Sequence, residues 1–278
     1  MAPSGTRSTV DTRRVRVDGY PGPGGNTREG AAMTAHDGAA LGSRQATARA
    51  LILAASATDG LDGLVAVLQR LCRGLTAHLS VLGATVHLMS PAGSAGVAAA
   101  SDEHCKAIDE LQFTTGEGPC HDAFAARRPV LVPDLSGAGW RWPGYASAVL
   151  EAGVGAVFAF PLHVGGVVLG VLDVYDDRPG SLTHEQVAMA LTFAQIATEI
   201  LLDGDPTGTD GALDPGLATA LDYRAEIHQA QGMLVVSSSV SLVNALVLMR
   251  AHAFAHGRPL IDLAREIIGG RDQLGDEP

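Results

Sequence analysis

Two short strings place thiols beside imidazoles: His104-Cys105 and Cys120-His121. Two cysteines and two histidines could serve as the donor set of a tetrahedral zinc site. The spacing matches no zinc ribbon, and adjacent side chains point in different directions, so no metal is expected. Cys120 follows a Gly-Pro loop at an expected helix start, where backbone N–H groups favour a thiolate. That makes Cys120 a candidate redox or ligand sensor, the bland alternative being a small buried hydrophobe. Trp140-Arg141-Trp142 offers flat rings that either stack on a ligand or cover a core. Asp173, Asp176 and Asp177 follow a strand, and turn chemistry explains them better than an acid–base pair does. No nucleophile–base motif, phosphate-binding glycine loop or dinucleotide fingerprint occurs, and Gly116-Glu117-Gly118-Pro119 is too short and proline-broken to cradle a phosphate. The expectation is a chain that is not an enzyme and carries no cofactor.

The chain has 278 residues, 46% of them hydrophobic, enough for one to two domains. Charged residues make up 18%, and the formal net charge is −11. An acidic chain is not an obvious nucleic-acid binder, because neutralising phosphate needs Lys and Arg. Three cysteines without a disulfide framework suit a reducing cytoplasm, and no apolar secretory segment opens the sequence. The most apolar expected helix, residues 183–202, carries His184, Glu185, Gln186, Gln195 and Glu199, which excludes it as a membrane span.

The elements that must position these residues follow from periodicity. Residues 1–42, rich in Gly, Pro, Ser, Thr and Arg, read as disordered. Helices are expected over 44–57 and 61–77, the second with Leu61, Leu64, Val65, Leu68 and Leu71 in one stripe. Strands are expected over 84–89, 97–100, 129–132, 153–162 and 167–175, with Gly165-Gly166 as the hairpin turn of the last pair. A polar helix near 103–111, a short helix over 120–126 and a closing helix capped by Ser181 or Thr183 complete the unit. The result is an α+β domain over 43–202: a mostly antiparallel sheet flanked by helices. Residues 203–215 read as a linker.

The tail, 216–272, reads as three helices: 216–235, 241–256 and 259–268. Leu242, Ala245, Leu246, Met249 and Ala253 share a face of the second; Leu260, Leu263, Ala264, Ile267 and Ile268 share a face of the third. Ser241 is positioned to cap, Pro259 to open and Gly269-Gly270 to end a helix.

The strings Arg224-x-x-Ile227-x-x-Ala230-x-Gly232-x-Leu234, Ala245-x-x-Leu248 through Ala253, and Leu260-x-Asp262-x-Ala264 resemble an ANTAR domain, a three-helix all-α module. The preceding domain is similar to a GAF domain in Gly116-Glu-Gly-Pro-Cys120, Pro129-Val-Leu-Val-Pro-Asp134, Arg141-Trp142-Pro143, Phe158-Ala-Phe-Pro161 and Leu169-Gly-Val-Leu-Asp173. A GAF domain followed by ANTAR resembles a common bacterial regulator, especially of actinobacteria. The resemblance implies transcription antitermination, with the tail binding hairpins in nascent leader RNA and the GAF half sensing a small ligand, a redox state or a partner. A homodimer is expected, with the face Val187, Leu191, Ala194, Ala197 and Leu201 available to pair two chains or to pack on its own sheet.

On that reading the RNA contacts are Arg224, Gln231, Arg250, His252, Arg258 and Arg265, and the sensing candidates are Cys120, Trp142, Phe158 and Phe160. Many ANTAR domains carry a lysine where Gln231 stands. Five arginines in the tail are balanced by Asp222, Glu226, Asp262, Glu266 and Asp272, so salt dependence should be shallow. The alternative for the arginines is solvated pairing with those carboxylates. Ala230, Gly232 and Ala253 read as close-packing positions. Two rival functions are a tail that docks a protein partner without RNA, and a GAF-type sulfoxide reductase using cysteines.

Overall fold

The computed structural model describes residues 27–56, 63–90, 93–203 and 215–270, with side chains over 40–56, 63–89, 96–203 and 225–270. Helix α1 spans Thr27–Ala54. The expectation of disorder through residue 42 is therefore corrected from Thr27 onward. Glycines dominated that reading, whereas Ala31, Ala32, Ala35, Ala39 and Ala40 carry high helix propensity. The rest of that segment and the linker at 204–214 lie outside the described residues.

Five strands form one antiparallel sheet in the order β2-β1-β5-β4-β3, with β1 Gly83–Ser90, β2 Gly93–Ala100, β3 Val130–Val132, β4 Ala156–Val164 and β5 Val167–Asp176. Val164 pairs with Val167, so Gly165-Gly166 is the expected two-residue turn. Alternation along each strand divides the core in two. Ala84 and Val86, Phe158, Phe160 and Leu162, and Leu172 and Val174 face α2 (Gly63–Leu79) and α6 (His184–Asp203), joined by Ala48 and Ile52 of α1. Val157, Ala159, Val171 and Tyr175 face the opposite layer, made of α3 (Glu103–Thr115), α4 (Pro119–Ala126) and α5 (Pro143–Glu151). A 3-10 turn, Leu135–Gly137, precedes α5. Sequence reading missed α5, a helix of nine residues opened by Pro143.

Thr183 caps α6 reciprocally: its Oγ accepts from Gln186 N at 3.2 Å, and its N donates to Gln186 Oε1 at 2.8 Å. On α6, Ala194 and Ala197 are buried in the core while Leu191 is exposed.

The tail is α7 (Pro215–Ser238), α8 (Leu242–Ala255) and α9 (Leu260–Ile268). Ser241 Oγ accepts from Asn244 N at 3.2 Å, as a cap should. Its core joins Ile227, Ala230 and Leu234 to Ala245, Met249 and Ala253 and to Leu260, Leu263, Ala264 and Ile267. One residue of that core comes from outside the tail: Phe113 of α3. Ala230 and Ala253 are buried as expected, but a Cβ on Gly232 would meet nothing, so that glycine is not a close-packing position. No single described helix is long and apolar enough to cross a membrane.

Gly170 pairs with Leu88 across β1 and β5, and a Cβ there would lie 2.3 Å from the carbonyl oxygen of His87. Gly170→Ala is expected to cost roughly 1–3 kcal/mol of stability in denaturant unfolding, because the strand backbone cannot give way cheaply. An unchanged midpoint would contradict this register.

Candidate functional site

The outer sheet face carries polar side chains where a core face should be apolar. Thr85 and His87 of β1, and Asp173 and Tyr175 of β5, share it by the two-residue period, and Thr85 sits opposite Asp173. All four are buried, as are Asp109 and Gln112 of α3 above them. Asp109 is the hub. Its Oδ1 accepts from Tyr175 OH at 2.8 Å, from Thr85 Oγ1 at 3.0 Å and more weakly from Gln112 Nε2 at 3.4 Å. Its Oδ2 pairs with His87 Nδ1. Gln112 Nε2 also donates to Asp173 Oδ2 at 3.2 Å. Two buried polar atoms at the cluster, Tyr145 OH and Asp173 Oδ1, have no hydrogen-bond partner.

The loop after α3 is a clasp. Gly116 takes a left-handed φ of 72° and donates its N–H to Gln112 O, ending the helix. Glu117 Oε1 accepts from Gly144 N at 2.7 Å and Tyr145 N at 3.0 Å, satisfying the open first turn of α5. Gly118 leaves room for Gln112: a Cβ would come within 2.6 Å of its Oε1. That oxygen accepts from Cys120 N at 2.8 Å. His121 Nε2 meets Gln112 O at 3.1 Å. The carbonyl can only accept, so Nε2 carries the proton.

Two carboxyls in one buried cluster cannot both ionise cheaply. Burial pushes Asp109 up, but attraction to His87 and hydrogen bonds from His87, Tyr175 and Thr85 outweigh it and hold it below the usual range. Burial raises Asp173 well above that range, and the neighbouring Asp109 charge raises it further. The pair is therefore one carboxylate and one carboxylic acid. Burial also lowers His121 and raises the phenols of Tyr145 and Tyr175.

In the tail, Arg258 pairs with Glu266 at 2.7 Å, and Arg265 pairs with Glu226 at 2.8 Å and Asp262 at 3.9 Å. The Arg250 guanidinium lies over the Phe113 ring at 5.7 Å. His252 and His256 stack at 4.1 Å.

Comparison with known proteins decides what these parts are. A family model described as GAF domain matches residues 63–201, half the chain, and a model described as ANTAR domain matches residues 216–268. The chain is a GAF–ANTAR protein.

Solved structures similar to the GAF half include three with little sequence in common. The GAF domain of an Acinetobacter phosphoenolpyruvate-protein phosphotransferase is 12% identical, with 59% of this chain and 95% of that one covered at a TM-score of 0.42. The type II free methionine-R-sulfoxide reductase of Thermoplasma acidophilum is 14% identical, with 51% and 94% covered at 0.40. The fRMsr of Staphylococcus aureus in its reduced form is 16% identical, with 58% and 94% covered at 0.42. No curated protein sequence matches the chain.

The GAF domain separates the four sensing candidates. Cys120 and Trp142 belong to the outer core with the polar cluster; Phe158 and Phe160 belong to the inner core against α2 and α6. Alternate positions of β4 face alternate sides, so the two phenylalanines cannot reach the cluster. Trp142 is buried edge-on to Tyr145, with the Arg141 guanidinium 4.3 Å over its ring, while Trp140 is exposed. Cys120 is not the thiolate expected at a helix start. Burial raises it well above the ordinary thiol range, and Asp173 and Asp109 add to the shift. Burial pushes Cys105 up to about 11, and all three cysteines are free and buried. Among the described residues no group of three His, Cys, Asp or Glu side chains is placed to hold a metal ion. Asp173 is not a turn residue but a buried mid-strand acid.

The ANTAR domain also sorts its candidates. Gln231 is only 4% exposed; its Nε2 donates to Leu242 O at 2.6 Å and its Oε1 meets His228 Nδ1 at 3.0 Å. It ties α7 to α8 and does not face a ligand, which corrects its assignment to RNA. The side chain of Arg224 lies outside the described residues. Sequence reading missed Thr85, His87, Asp109, Gln112, Tyr145 and Tyr175. The available signal was polar residues at two-residue spacing inside β1 and β5, matched by Asp109 and Gln112 one helical turn apart.

Asp173→Asn keeps the shape and removes the ionisable group. The folded Asp173 holds a proton that the unfolded chain releases above about pH 4, so its contribution is present below that pH and is lost as pH rises toward the folded value. Urea unfolding should show D173N more stable than wild type at about pH 8, by an amount on the order of 1 kcal/mol or more, with the gain shrinking toward about pH 4. An equal difference at both pH values would show that the carboxyl is not held protonated.

Proposed function

We propose that the protein is a non-enzymatic cytoplasmic regulator of transcription antitermination, whose GAF domain senses a small polar ligand and whose ANTAR domain binds hairpins in nascent leader RNA. The match of the ANTAR model to a tail that folds as three packed helices carries the output half of this reading. The unpartnered Tyr145 OH and Asp173 Oδ1 support the input half, because buried polar atoms without partners are unfavourable until a ligand or water supplies them. The thiols do not favour redox input, since the thiolate is the reactive form and burial suppresses it.

RNA contact falls to the arginines that reach solvent. Arg258 and Arg265 sit in exposed or half-exposed ion pairs, which are weak in water and exchange readily for phosphate. A second reading has its own observation. Leu242, Val243, Val247 and Leu248 of α8 are exposed apolar residues, a surface suited to a protein partner or to a second copy in a homodimer.

Filter binding of the full chain to hairpin RNA across a salt series separates the two. The RNA reading expects retention at low salt with a shallow slope, about −2 in log K against log salt, and a slope reduced by about 1 by Arg258→Ala or Arg265→Ala. Failure to retain any cellular transcript at low salt would leave the protein-docking reading in its place.

A further inference from the structure

The arginine that the family pattern places among the RNA contacts is half-buried against the GAF domain. Arg250 of α8 lies against the end of α3, over Phe113 and beside Gly116. A Cβ on Gly116 would come 2.5 Å from Arg250 Nη1 and 2.9 Å from its Cζ. Phe113 is 7% exposed and is counted within the ANTAR core, though it belongs to the GAF domain. Further along α8, Phe254 approaches Gly144 at the start of α5. Burial lowers the Arg250 pKa, and its Nε is buried without a hydrogen-bond partner.

An unpaired buried donor destabilises the docked arrangement, and a phosphate would satisfy it. The contact is thus complementary in shape through Phe113 and Gly116, yet incomplete in polarity at the one group that RNA could complete. It is also wired to the buried cluster. Gln112 bonds Asp173, Asp109 and Cys120 N; Phe113 is the next residue; and the Gly116 N–H is fixed on Gln112 O. Movement of Gln112 therefore moves both surfaces that Arg250 touches.

We infer that the end of α3 is a docking surface for the chain's own α8, and that docking masks Arg250 from RNA, so that sensor and RNA compete for one guanidinium. The inference rests on the RNA-binding reading above. It needs two discrete states, docked and released, whose balance the sensor sets.

Two substitutions in the GAF domain test it without changing a residue of the ANTAR sequence; because Phe113 also packs in the ANTAR core, Gly116→Asn is the variant that leaves that core intact. Phe113→Ala removes the ring beneath Arg250. Gly116→Asn keeps a residue type that tolerates the left-handed conformation but places a side chain where the guanidinium lies. In the full-length protein, Arg250 accessibility is read by phenylglyoxal modification and peptide mass spectrometry, and hairpin affinity by filter binding. Both variants should modify faster at Arg250 and bind RNA tighter by at least about fivefold, and Arg250→Ala in the Phe113→Ala background should abolish the gain. Faster modification with unchanged affinity overturns the masking. Unchanged modification in both variants overturns the docking. Faster modification with no RNA retained by any form would overturn the RNA reading itself, and the masking with it, while leaving the docking demonstrated.

Discussion

A single buried carboxylate organises the sensor. Asp109 has lost its water and can remain charged there only because His87, Tyr175, Thr85 and Gln112 point donors at it. A buried charge deprived of partners is among the costliest features a core can contain, so each partner is constrained in turn. His87 and Thr85 fix the height of α3 over β1, and Tyr175 fixes it over β5. The second carboxyl, Asp173, then has no favourable way to ionise and stays protonated. The positions of the clasp loop, of α4 and of α5 follow from where Gln112 ends up.

The same helix reaches the output domain. Three short helices enclose a marginal core by themselves. The ANTAR helices complete theirs with Phe113, a residue three positions from Gly116 and one from Gln112. One turn of α3 therefore carries a polar face toward the sensor cluster and an aromatic face toward the tail. Such an arrangement links two domains through the rigid body of a helix, without a dedicated hinge. It also explains why the glycines of the Gly116–Cys120 string are required: Gly116 admits Arg250 and Gly118 admits Gln112.

Much of the fold was legible in the sequence where one local rule governed. The spacing of Leu260, Leu263, Ala264 and Ile267, the Gly165-Gly166 turn, and the caps at Thr183 and Ser241 all express short-range chemistry that a sequence displays directly. The site was less legible because it is assembled across the sheet. Asp109 lay in a segment that reads as a polar surface helix, and nothing local says that strands will cover it. The family pattern points to Phe158 and Phe160 as sensing residues, although their shared parity against Val157 and Ala159 puts them on the face opposite the polar cluster. The ANTAR pattern assigns Gln231 to RNA by its place, where many domains carry a lysine; its burial depends on the Leu242 carbonyl eleven residues away. Arg250 was identified by type and position, but its environment comes from another domain.

The protonation split between the two carboxyls is the most direct measure of the central interaction. Carbon-13 NMR of the Asp109 and Asp173 side chains, titrated through neutral pH, reads it without mutation. Asp109 should remain ionised to below the usual carboxylate range, and Asp173 should stay protonated well above it. Ordinary titration of both carboxyls near about pH 4 would contradict the account.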